Sequence, residues 1–124
     1  MVAGLGTDII EVDRIAQRIN SNNGFTQLVF TSAEMAYCEK QADSYQHYAA
    51  RFAAKEAFFK ALGTGWIDGT AFNEVEIVHD AQGAPQIQLH GETAQTLAAL
   101  HIRRILVSLS HIKTMATAVV IIEK

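Results

Sequence analysis

Along residues 2–10 glycine and acid alternate with apolar side chains. Gly4, Gly6 and Asp8 share one face of an extended segment; Ala3, Leu5, Thr7 and Ile9 share the other. This predicts a strand over 2–10 whose glycine face lets another backbone come close. Val12, Ile15, Ala16 and Ile19 then recur at helical spacing, predicting a short helix from near Glu11 that ends at Asn20–Gly24. Thr31 with Glu34, and Asp43 with Gln46, have the spacing of capping boxes. The second box opens a long helix over 44–62, stopped by Gly63-Thr64-Gly65, where glycine suits a left-handed residue just past the helix end. Val75 and Ile77 alternate with Glu74 and Glu76, a strand over 72–79. Turn chemistry at 80–85 and a return strand at 86–90 follow. Residues 92–101 read as a helix, and 104–110 and 114–122 as strands joined near Lys113. The order predicts an α+β fold, a mostly antiparallel sheet packed against a long helix, in a single domain over 1–124.

Composition narrows the function classes. With 124 residues, 49% of them hydrophobic, the chain supports one core, but a chain this short buries a limited share of its surface. Deep sites are then expected between subunits. A net charge of −3 supplies no global field for nucleic acid or an anionic membrane, so neither partner is expected. Cys38 is alone, which fits a reducing compartment. No apolar run reaches the roughly 20 residues of a membrane span. Met1-Val2-Ala3-Gly4 also lacks the basic and apolar regions of a signal peptide. The expectation is a soluble cytoplasmic protein.

Two acids stand in surroundings that do not otherwise want them. Asp8 lies near the end of a glycine-bearing apolar strand, and Glu56 sits in a helix rich in Ala and Phe. Phe52, Glu56, Phe59 and Lys60 fall on one side of that helix. Glu56 therefore lies at a buried edge and needs a cation, either Lys60 one turn on or a metal. Asp8 has an alternative role as a cap for the helix that follows. Two carboxylates with waters suit Mg²⁺, which commonly shares its shell with substrate phosphates. Arg51 and Lys55, spaced i, i+4, read either as a solvated face or as cations for an anion. Gly63-Thr64-Gly65 offers backbone N–H groups to phosphate, although helix termination explains it as well. His111 lies in phase with Ile105, Val107 and Leu109 where that apolar face runs out, as a structural residue or a phosphate ligand. No zinc spacing, phosphate-binding P-loop or serine-hydrolase elbow is present. Arg14 and Arg18 are one turn apart in a stretch without acids between Asp13 and Glu34. This is either a solvated face or a surface for an acidic protein.

Three blocks carry a family resemblance: Gly6-Thr7-Asp8-Ile9-Ile10-Glu11-Val12-Asp13-Arg14-Ile15, the run from Arg51 to Gly65 around Lys55-Glu56-Ala57, and Ser108-Leu109-Ser110-His111. In these the chain resembles the short holo-[acyl-carrier-protein] synthases, a class of 4′-phosphopantetheinyl transferase. The resemblance implies that fold, with active sites between the subunits of a homotrimer. It implies Mg²⁺-dependent transfer of the 4′-phosphopantetheine arm of coenzyme A to a serine of apo acyl carrier protein, as in fatty acid biosynthesis, with release of adenosine 3′,5′-bisphosphate. It implies Asp8 and Glu56 as metal ligands and Lys60 on the pyrophosphate. Arg51 and His111 would lie on the nucleotide, Gly83 and Pro85 at the adenine pocket of an adjacent subunit, and Arg14, with Arg18 beside it, on the carrier protein. Glu56, Lys60 and His111 are the catalytic candidates. The chain departs from the family pattern at Thr7, where isoleucine is frequent, and at Trp66. A coenzyme A sensor without chemistry and a metal-dependent coenzyme A pyrophosphatase are the competing readings.

Overall fold

The structure, a computed structural model, describes residues 1–124. Strand β1 (Val2–Glu11) leads directly into helix α1 (Val12–Asn20), followed by α2 (Phe25–Val29), α3 (Ser32–Glu39) and the long α4 (Ser44–Ala61). A hairpin of β2 (Val75–His79) and β3 (Pro85–Leu89) comes next, then α5 (Gly91–Leu97), β4 (Arg104–His111) and β5 (Met115–Glu123). All pairing is antiparallel, as the sequence pattern implies, but it forms two sheets: one of three strands in the order β1-β5-β4, and the separate β2–β3 hairpin.

The alternation along β1 is resolved by helix α4. Gly4, Gly6 and Asp8 face the helix, and a Cβ on either glycine would run into the carbonyl oxygens of Ala61 and Ala57. Glycine on the strand and alanine on the helix together allow that close approach. The rest of the core fills the same layer, with Ile10, Ala118, Val120 and Ile122 from the sheet meeting Phe52, Phe58 and Phe59 from α4. Each such large apolar side chain contributes about 1.5–3 kcal/mol when fully buried. Helix α4 also packs against α1, α3 and β2, so it is covered on nearly every side. Arg51 and Lys55 are therefore buried rather than on a solvated face.

Lys55 donates to Glu34 at 2.7 Å and to the Phe72 carbonyl at 3.0 Å. Glu34 belongs to the Thr31 capping box and also accepts from the Ile77 amide at 2.9 Å. One carboxylate thus caps α3, neutralises Lys55 on α4 and pins β2. The second expected box does not form. Asp43 precedes α4 without a side-chain cap, and its carboxylate lies 3.1 Å from His47 instead. Residues 72–74 make a 3-10 turn ahead of β2, and α2, a short helix not among the expected elements, starts behind a left-handed Gly24. Gly63 is left-handed at the end of α4, as the sequence implies.

The other face of the three-stranded sheet has no cover. Leu5 is 62% and Ile9 66% exposed, with Val119 and Leu106 alongside them. No helix is long and apolar enough to cross a membrane.

Candidate active site

Asp8 sits on the inner face of β1 opposite Ala118, and Glu56 lies on the α4 turn packed beneath it. With Arg14, Arg18, Phe52 and Lys60 they line one cavity of about 280 Å³. Lys60 donates to the Asp8 carboxylate at 2.9 Å and to the Thr7 carbonyl at 3.0 Å. The helix pair between Glu56 and Lys60 that spacing allows is therefore replaced by a strand–helix pair. Asp8 does not cap α1 either, because Glu11 occupies that position. Burial pushes the Glu56 carboxyl above the ordinary carboxylate range and the Asp8 charge adds to this, while Lys60 and Arg18 pull it back. Glu56 has no ion pair of its own.

Nowhere do three or more His, Cys, Asp or Glu side chains gather as a metal-binding group. The protein offers two carboxylates here, one of them short of a cation. That donor set fits a hard ion such as Mg²⁺, which binds through one or two carboxylates and fills its shell with water and phosphate oxygens. Arg18 is held in place by the rings of Phe25 and Phe52, 5.7 and 5.9 Å from its guanidinium carbon, and Arg14 is exposed beside it.

Arg51 and His111 meet in a second cavity, of about 200 Å³, lined also by Tyr37, His47, Ala50, His79, Pro85 and Leu109. Arg51 is 2% exposed, and its Nε and Nη2 have no hydrogen-bond partner. Its guanidinium lies 4.2 Å from the centre of the Tyr37 ring. His111 Nδ1 is 2.9 Å from Gln46 Oε1. The sheet order separates His111 from Asp8. β5 lies between their strands, two strand spacings or roughly 10 Å across. His111 therefore stands apart from the two acids and Lys60, with which the sequence grouped it as a catalytic candidate. Pro85 reaches the Arg51 cavity within one chain, whereas Gly83 sits at the exposed, left-handed tip of the hairpin turn. Trp66 is exposed on the loop after α4.

Sequence reasoning missed His47, His79 and Tyr37 as neighbours of Arg51. His47 was within reach, since it lies one turn before Arg51 on the same helix face. His79 and Tyr37 arrive from β2 and α3, which only the tertiary fold brings near.

The family model of the 4′-phosphopantetheinyl transferase superfamily matches residues 4–118. The holo-[acyl-carrier-protein] synthase of Geotalea daltonii is 42% identical over 125 residues, covering 100% of both chains. The chain belongs to the holo-[acyl-carrier-protein] synthase family. The crystal structure of the Neisseria meningitidis synthase superposes with a TM-score of 0.90 at 33% identity, covering 100% of each chain. The Bacillus anthracis synthase in complex with coenzyme A (3′,5′-ADP) superposes with a TM-score of 0.81 at 30% identity, covering 100% of this chain and 98% of that one. The synthase fold, a helix-covered antiparallel α+β arrangement, is thus the architecture described above.

Proposed function

We propose that this synthase transfers the 4′-phosphopantetheine arm of coenzyme A to a serine of apo acyl carrier protein, with Mg²⁺ held by Asp8 and Glu56. The observation that carries this reading is the convergence of Asp8, Glu56 and Lys60, from β1 and α4, on one cavity that opens beside Arg14 and Arg18. When bound, a divalent ion supplies charge neutralisation and alignment of the diphosphate. Lys60, whose side chain is 54% exposed, is free to turn its ammonium towards a phosphate oxygen. The serine hydroxyl attacks the β-phosphorus, the bond from that phosphorus to the bridging oxygen breaks, and adenosine 3′,5′-bisphosphate leaves. The serine proton passes through water to Glu56. Positioning and electrostatics supply most of the rate, as phosphoryl transfer generally demands. Arg51 and His111 hold the nucleotide end in their own cavity. Arg14 and Arg18 present positive charge to an acidic carrier protein, which speeds and orients docking. The uncovered apolar face of the three-stranded sheet supports assembly into a homotrimer with sites between subunits.

Mass spectrometry of apo carrier protein mixed with coenzyme A and this chain tests the reading. The carrier should gain the mass of the arm only with Mg²⁺ present, and the gain should be lost in Asp8→Ala and Glu56→Ala. Near-normal transfer by either variant would refute the metal assignment. Tight coenzyme A binding without transfer would favour the sensor, and cleavage without a carrier the pyrophosphatase.

A further inference from the structure

The cavity around Arg51 holds more than the two residues assigned to the nucleotide. His47 from α4, His79 from the end of β2 and His111 from the end of β4 bring three imidazoles to one small space beside a buried guanidinium. The rings form a chain of contacts that runs through Tyr37. His79 stacks on Tyr37 at 4.9 Å, and His47 meets His111 edge-on at 4.9 Å and Tyr37 at 5.8 Å. The unpartnered Arg51 atoms, Nε and Nη2, form the side edge of the guanidinium fork, the edge that pairs with two oxygens of one phosphate.

Resting on the function proposed above, we propose that His47 and His79 are further phosphate-binding residues of this synthase. With Arg51 and His111 they form a cradle for the phosphomonoester of coenzyme A, and they take up protons when it binds.

The charges around each imidazole set the sign. His47 faces Asp43 on its own helix, Arg51 one turn on, His111 across from β4 and the Tyr37 ring from α3. His79 faces Arg51 and His47 on α4, Tyr37 on α3 and Asp80 beside it in the turn. Without an anion, burial lowers both histidines below their ordinary value, and Arg51 and the neighbouring imidazoles add to the effect. Asp43 and Asp80 oppose it. Both rings are then neutral at pH 7. A dianion placed among them favours the imidazolium forms, so binding consumes protons and tightens as pH falls. A single linked proton sets a ceiling of about tenfold in affinity per pH unit.

Isothermal titration calorimetry of the full chain tests this. Coenzyme A and dephospho-coenzyme A, which lacks the 3′-phosphate, are titrated in buffers of different ionisation enthalpy. Coenzyme A should bind with net proton uptake at pH 7.5, and about three- to tenfold more tightly at pH 7 than at pH 8. Dephospho-coenzyme A should show neither effect. The His47→Gln/His79→Gln double variant should lose at least half of the uptake and most of the pH slope for coenzyme A. Equal uptake for the two ligands, or an unchanged slope in the double variant, would overturn the proposal. Transfer to apo carrier protein without histidine-dependent uptake would remove this inference and leave the proposed function standing. Failure to bind coenzyme A at any pH would remove both.

Discussion

Replacing Glu34 with alanine should destabilise the chain more than any change at the surface, and the size of the loss can be worked out from the structure. Lys55 and Glu34 are both 0% exposed at the side chain and 2.7 Å apart. Removing one member of a buried pair costs about 3–5 kcal/mol, because the other charge is stranded. Lys55 can escape only by losing its proton. For an ordinary lysine at 10.5 this costs roughly 5 kcal/mol at pH 7. The two routes agree in size. The Ile77 amide also loses its acceptor, adding about 1–3 kcal/mol. Against a typical domain stability of about 5–15 kcal/mol, Glu34→Ala removes a large fraction. Urea unfolding followed by far-UV circular dichroism measures the loss. Its pH dependence is specific: the unfolded state binds the Lys55 proton that the folded variant has lost, so the deficit shrinks as pH rises towards 10.5. By pH 9 the deprotonation cost falls to roughly 2 kcal/mol. A double variant, Glu34→Gln with Lys55→Met, removes both charges and keeps an acceptor for one of the two amides, Thr31 or Ile77, and should recover part of the stability. A loss below about 1 kcal/mol for Glu34→Ala, or no recovery in the double variant, would refute the reasoning.

Three other outcomes are expected. Gly6→Ala forces a methyl group into the Ala57 carbonyl, so overpacking should cost at least about 1–3 kcal/mol by urea unfolding. Cys38 is fully buried and its thiol is pushed up to about 12, so in the folded chain it should resist a disulfide reagent at pH 8 and react only as fast as the chain opens. Arg51→Met removes a buried charge that lacks hydrogen-bond partners at two nitrogens; it should leave stability unchanged or raise it in urea, while raising the KM for coenzyme A at least tenfold.

Local features of the chain were legible in the sequence. The two faces of β1, the Thr31–Glu34 box and the left-handed Gly63 each depend on a few neighbouring residues, and each forms as the pattern implies. The Asp43–Gln46 spacing looked equivalent to Thr31–Glu34. It failed because His47 and His111 supply competing partners for the two side chains. That competition comes partly from β4, far along the chain. The division into two sheets was illegible for a similar reason: alternation identifies strands without saying which of them pair.

The same limit explains why Arg51 and Lys55 looked alike in the sequence and differ in the structure. Along the buried middle of helix α4 a charge has no route to water and must find a partner across a packing interface, whereas Lys60 near its end reaches solvent. Lys55 finds Glu34, and Lys60 finds Asp8. Glu56 and Arg51 find none, although they belong to the same helix and lie above different cavities. An acid that lacks a cation and a guanidinium that lacks an anion, on one helix, are what the proposed function asks for: the first for the proposed metal-bound diphosphate, the second for the proposed phosphomonoester. The unmet charges on α4 therefore match the chemistry of the substrate proposed for it.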